Sequence, residues 1–200
     1  MNVALRKPMT VDEFLAWENR QEAKHEFDGF AAVAMVGVSA AHSTIQMNLL
    51  GALRDRLRGK PCRPHGSELR MKLAQTVRYP DAMVICTPIA NTAHEVTDPV
   101  VIFEILSDTT AETDLGAKNR EYRDTSSVQR YVIIHQDAPA VTMFARQGHA
   151  WLGTLHGRND TIAMPEIGIA LPIAELYDGL EFPHSDGAQD ALRAEADQQQ

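Results

Sequence analysis

The chain has 200 residues, 44% of them hydrophobic, and a formal net charge of −8 at pH 7. That is enough for one cored domain, cramped for two, and no run approaches the roughly 18 apolar residues of a membrane-spanning helix. Residues 160–200 hold nine acids against Arg193 alone, so the whole net charge lies there and the rest of the chain is neutral.

From the N-terminus, Thr10-Val11-Asp12-Glu13 has capping-box spacing ahead of Phe14 and Trp17 and predicts a helix running toward Gln21. An Asp28-Gly29 turn follows His25-Glu26-Phe27 and precedes Ala31 to Val38, the pattern of a hairpin with Glu26 near its start. Ile45, Leu49, Leu53 and Leu57 recur every four residues. They predict a second helix, capped by Ser39 or Ser43 and ended by Gly59.

Leu69, Met71 and Leu73 alternate with Arg70 and Lys72 as in a half-buried strand. Val84-Ile85-Cys86 and Val100 to Leu106 are apolar runs typical of interior strands. Ser107-Asp108-Thr109-Thr110 offers caps for a helix through Lys118 and Tyr122. Strands at Tyr131–Ile134, Val141–Phe144 and Ala150–Leu152 then suggest a meander. The expected architecture is a single α/β domain over residues 1–183, with a central mixed sheet flanked by helices. Residues 184–200 are expected to form an acidic, polar, disordered tail.

Cys62 and Cys86 have no Cys-x-x-Cys spacing. They read as free thiols in a reducing compartment, which with the absence of a signal-like N-terminus makes the cytoplasm the expected location. Between residues 42 and 81, eight Lys or Arg stand against Asp55, Glu68 and Asp81. This basic segment is either a solvated surface or a phosphate contact. The eight histidines show no ligand spacing for zinc, and Ser107 lacks a Gly-x-Ser-x-Gly context.

Chemistry concentrates at Tyr79-Pro80-Asp81 and at Glu104 within Val100–Leu106. Carboxylates in apolar runs are costly to bury unless paired, hydrogen-bonded or bound to a cation. One alternative is that both are strand-end acids facing solvent or satisfied by backbone amides. The other is a hydrolytic metal site, in which adjacent strands supply the oxygen ligands Mg²⁺ prefers and Lys118 adds electrostatic stabilisation. Glu26 would join as a water-mediated ligand or a base.

The ordered set Glu26-Phe-Asp-Gly, His42 opening a helix, Tyr79-Pro80-Asp81, Phe103-Glu104-Ile105-Leu106-Ser107, then Asp114, Lys118, Tyr122 and Tyr131-Val132-Ile133, resembles the Uma2 family of the PD-(D/E)xK nuclease superfamily. The resemblance spans about Met9 to Phe182 and implies a restriction-endonuclease-like core. It implies Asp81, Glu104 and the Ile105 carbonyl as ligands of Mg²⁺ (or Mn²⁺), and Lys118 as a relocated catalytic lysine, since Leu106 occupies the usual lysine position. It further implies endonucleolytic hydrolysis of DNA through a metal-bound water, by a homodimer without membrane association. The rival expectation is a catalytically inactive module that keeps the fold and binds nucleic acid or protein.

Overall fold

The computed structural model describes residues 9–107 and 113–182. Helix α1 (Val11–Glu18) starts as its sequence dictates: the Thr10 hydroxyl accepts from Glu13 N–H while Glu13 Oε2 accepts from Thr10 N–H. It ends before Gln21, and buries Phe14 and Leu15 against Phe27 and Val77. Strands β1 (His25–Phe27) and β2 (Ala32–Ala34) form the expected hairpin. At its turn Asp28 Oδ1 accepts from the N–H groups of Phe30 and Ala31, and Gly29 takes φ +93°. The second strand stops at Ala34, short of the expected Val38, because pairing with β1 ends at His25.

Helix α2 (Ala40–Leu57) is capped by Ser39, whose hydroxyl accepts from His42 N–H, and ends ahead of Gly59 at φ +77°. Short strands follow at β3 (Arg63–Gly66), β4 (Arg70–Lys72), β5 (Val77–Arg78), β6 (Ala82–Ile85), β7 (Glu95–Val96) and β8 (Val101–Leu106). A π-helical turn at Asp114–Lys118 runs into α3 (Asn119–Asp124). The caps expected at Asp108–Thr110 lie outside the described residues, as does the tail at 184–200. Strands β9 (Arg130–His135), β10 (Ala140–Gln147) and β11 (Ala150–Gly157) form the meander. A further hairpin of β12 (Thr161–Met164) and β13 (Ile169–Pro172) leads into α4 (Ile173–Leu176).

The expected mixed sheet flanked by helices is present as six strands in the order β11-β10-β9-β8-β6-β3, with β8 and β9 parallel and the other neighbours antiparallel. A second, five-stranded sheet, β2-β1-β5-β4-β7, was not separable from it by sequence pattern. Along β8, Val101, Phe103 and Ile105 pack under α2 with Ile45, Leu49, Leu53 and Leu57. Ile102 instead joins Met83, Ile85, Tyr131 and Ile133 on the opposite face, beneath Tyr122 of α3 and Met71 of β4. Glu104 shares the face of Ile102 by strand alternation.

One expectation is overturned here. Cys62 and Cys86 form a disulfide. They flank β3 and β6, whose antiparallel register pairs Arg63 with Ile85, so the next residues outward face each other across the ladder. Pairing across a ladder leaves no sequence spacing to recognise, and the thiol argument for a reducing compartment falls with it. Among the described residues, no helix is long and apolar enough to cross a membrane.

Candidate functional site

The Tyr79-Pro80-Asp81 segment is the crossing between the two sheets, leaving β5 at Arg78 and entering β6 at Ala82. Proline lacks an N–H and suits a point where ladder pairing is interrupted. Tyr79 is anchored at both ends: its N–H donates to Glu26 Oε1 (3.1 Å) and its hydroxyl to Glu18 Oε1 (2.7 Å). Burial and the adjacent Glu18 push the Tyr79 phenol pKa upward, so it remains a proton donor.

The β6–β8 register pairs Ala82 with Phe103, so one step further Asp81 stands opposite Glu104. Asp81 precedes the paired residues of β6, so its own contacts and not the ladder place its carboxylate at the edge beside Glu104. Their contacts interlock: Asp81 N–H donates to Glu104 Oε2 (3.4 Å) and Ile105 N–H to Asp81 Oδ2 (2.7 Å). Asp81 Oδ2 also lies 3.2 Å from His42 Nε2. The Asp81 carbonyl accepts from Gln46 Nε2 (2.9 Å). One turn of α2 thus holds both the carboxylate and the backbone of Asp81.

Glu104 is buried and its Oε1 accepts from Lys118 Nζ (3.1 Å) and Tyr122 OH (2.8 Å). Lys118 Nζ also lies 3.4 Å from Glu26 Oε1 and 3.2 Å from Asp114 Oδ1. The lysine therefore does return to the strand, carried there by a π-helical turn, a local widening often found at functional sites. Glu26 is further paired with Arg78 Nη1 (3.2 Å). Arg78 is itself held by both carboxylate oxygens of Glu121, at 2.8 and 2.6 Å.

The electrostatics follow from burial and from an excess of acids. Burial raises the Glu104 pKa to about 8; Lys118 opposes the rise, and Asp114, Asp81 and Glu26 add to it. Burial alone would lower the Lys118 pKa, but Glu104, Glu26 and Asp114 outweigh it and hold the ammonium charged. For Tyr122, burial and then Glu104 push the phenol well up, fixing it as a donor to that carboxylate. Three carboxylates (Glu104, Glu26 and Asp114) surround one lysine, and Asp81 adjoins Glu104, an oxygen-rich and over-negative set that suits a hard divalent cation. Among the described residues, no three His, Cys, Asp or Glu side chains group as a metal-binding set. A cation here would rest on Asp81, Glu104 and the Ile105 carbonyl.

All four sequence-nominated side chains, Asp81, Glu104, Lys118 and Glu26, converge, with Ile105 bridging through its backbone. Two participants were not nominated. Arg78 adjoins the Tyr-Pro-Asp motif, a placement that hints at involvement only in retrospect. His42 was weighed as a helix-start residue, and nothing local marks its reach to Asp81. The basic segment is largely consumed within the fold: Arg70 pairs with Glu18 and Glu95, Lys72 with Asp12, Arg78 with Glu26 and Glu121, and Arg56 with Glu175.

Comparison with known proteins bears on the family and the fold. A family model, Uma2, described as "Putative restriction endonuclease", matches residues 11–174. Two uncharacterized proteins of Synechocystis sp. are similar: one is 29% identical over 87% of this chain and 94% of its own length. The other is 31% identical over 81% and 96%. Among solved structures, a "putative nuclease belonging to DUF820" from Anabaena variabilis shares the fold, with a TM-score of 0.71 and 22% identity. That match covers 84% of this chain and 97% of the other.

Proposed function

Since the chain belongs to the Uma2 family, we propose that it is a Mg²⁺-dependent endonuclease that hydrolyses DNA phosphodiester bonds. What supports this is the Asp81–Glu104 pair: two carboxylates opposite each other on neighbouring strands, one buried, with a charged lysine against it. In the proposal Asp81, Glu104 and the Ile105 carbonyl hold Mg²⁺ (or Mn²⁺), which when bound supplies Lewis-acid polarisation of the phosphoryl group.

The remaining work falls to the chain's own side chains. Among the described residues, the contacts of the Asp81 carboxylate fall on Oδ2, which leaves Oδ1 toward a cation. Tyr122 and Lys118 occupy Glu104 Oε1 and so leave Oε2 on the Asp81 side. Lys118 is held charged, which suits it to stabilise negative charge on a phosphoryl oxygen and not to act as a base. Glu26, oriented by Tyr79 N–H and Arg78, is the group positioned to take a proton from the attacking water. Such a substrate implies a cytoplasmic protein, and cutting both strands implies two sites and hence a homodimer.

Supercoiled plasmid incubated with Mg²⁺ or Mn²⁺ tests the proposal. Wild type should nick it, and Asp81→Ala and Lys118→Ala should not. Nicking that survives Asp81→Ala rejects the mechanism. One observation favours the inactive binding module instead: Glu104 is already satisfied by Lys118 and Tyr122 and holds a proton up to about pH 8. Plasmid binding by wild type without nicking would decide for that alternative.

A further inference from the structure

Three arginines of the basic segment cluster on the surface outside the buried ion pairs. Arg54 and Arg58, in and just past the last turn of α2, have side chains 71% and 76% exposed, and Arg63 opens β3 on the surface. Together with Leu57, Gly59 and Pro64 they line an open cavity of about 600 Å³. Among the described residues, Asp55 is the one acid that contacts them, meeting Arg54 Nε at 3.4 Å and Arg58 Nη2 at 3.0 Å. Arg63 Nη1 donates to the Lys60 and Cys62 carbonyls. Three guanidiniums against one carboxylate leave this concavity positive, whereas the chain as a whole is negative.

The position of this pocket relative to the acidic site gives it meaning. Helix α2 and edge strand β3 lie side by side. At one end Gln46 Nε2 reaches Ser67 Oγ (3.4 Å) and the Asp81 carbonyl. In the middle Leu50 packs on Gly66, where an added Cβ would come within 3.3 Å of Leu50 Cδ1. At the other end Arg54 and Arg58 meet Arg63 and Pro64. The helical rise puts Arg54 about 12 Å and Arg58 about 18 Å along α2 from Gln46. One strand of duplex DNA advances about 3.4 Å per phosphate, so this separation corresponds to about four to five nucleotides.

We infer that Arg54, Arg58 and Arg63 form an auxiliary phosphate-binding site for the nucleic-acid backbone flanking the acidic centre, with the α2–β3 track as the path between them. The inference rests on the nuclease reading of that centre and adds to it a second, sequence-independent contact. Guanidinium groups match phosphate oxygens in geometry and stay charged at any relevant pH. Their contribution is to affinity and register, not to bond cleavage.

The test measures binding without divalent cation, so that turnover does not enter. Fluorescence anisotropy with a duplex of about 24 bp should show the triple variant Arg54→Gln/Arg58→Gln/Arg63→Gln bound about 10- to 100-fold more weakly at low salt. The slope of log affinity against log salt should fall by about 2 to 3. Because Arg63 also braces its own turn, Asp55→Asn supplies the opposite sign on an intact fold, and should tighten binding about 2- to 5-fold. Unchanged affinity and slope in both variants, or no duplex binding by wild type, overturns the inference. Inorganic phosphate stabilising wild type but not the triple variant, with duplex binding equal in the two, also overturns it by showing a free-phosphate site. Plasmid nicking run in parallel separates the two levels. Wild type that nicks with an unaltered salt slope in the triple variant defeats this inference alone, and wild type that binds through the arginines without nicking defeats the nuclease reading alone.

Discussion

Lys118 Nζ lies 3.1 Å from Glu104 Oε1, although fourteen residues and a change from strand to helix separate them. The ammonium stands where Glu104, Glu26 and Asp114 can all reach it, so it holds together acids that would otherwise repel. Replacing it by a neutral isostere removes the cation that Glu26 and Asp114 share beside Glu104. Lys118→Met should abolish nicking and destabilise the fold by about 3–5 kcal/mol at neutral pH, the usual cost of breaking a buried ion pair. The loss should grow at pH 9, above the Glu104 pKa of about 8, where that carboxylate is ionised against Lys118. Urea denaturation at both pH values checks it, and an equal loss at both would sink the electrostatic account.

The raised pKa of Glu104 has a defined pH signature. Between the ordinary carboxylate value of 4.5 and about 8, folded Glu104 holds a proton that the unfolded chain has released. Stability of the cation-free protein from this group therefore falls as pH rises across that window. A divalent ion must displace the same proton, so its affinity should climb over the same interval and level off above about pH 8. Melting temperatures with and without Mn²⁺ at pH 5.5, 7 and 9 measure both trends. Mn²⁺ stabilisation that is equal at all three would remove Glu104 from the ligand set.

Arg78 links Glu121 and Glu26 from a buried position. Burial alone would lower its pKa, but Glu121 and Glu26 raise it, so it is charged throughout. Arg78→Met should cost about 3–5 kcal/mol by removing the cation from Glu121 and one of the two cations that Glu26 meets. Arg78→Lys should recover only part of that, because an ammonium cannot reproduce the two-oxygen grip on Glu121. Chemical denaturation of both variants distinguishes charge from geometry; full rescue by lysine would show that geometry is irrelevant.

The Cys62–Cys86 bond closes a loop with a sequence separation of 24. Chain-entropy arguments assign such a closure about 3 kcal/mol. Dithiothreitol should lower the urea midpoint of wild type accordingly, and leave the Cys62→Ala/Cys86→Ala variant unaffected. Identical midpoints for wild type with and without reductant would contradict the pairing.

Much of the fold was legible in the chain because its causes are local. The capping box at Thr10, the Asp28-Gly29 turn and the four-residue spacing of Ile45, Leu49, Leu53 and Leu57 each specify backbone geometry within a few residues. The β12–β13 hairpin is not among the expected elements, although Ile162 and Met164 alternate with exposed neighbours. Its turn carries Pro165 and Gly168, a signal overshadowed by the acidic run that dominates the end of the chain.

The candidate site divides in the same way. By itself the sequence determined which residue types sit in which elements: carboxylates inside apolar strand patterns at Asp81 and Glu104, and a lysine on a helical face with Asp114 and Tyr122. Only the tertiary structure decided that Asp81 stands opposite Glu104, that Lys118 reaches back to it, that His42 and Arg78 take part, and that Cys62 meets Cys86. The physical reason is that periodicity reports which face of one element is buried. Register between strands, and the approach of a helix to a sheet, are set by side chains far apart in sequence packing together, and no local pattern carries that information.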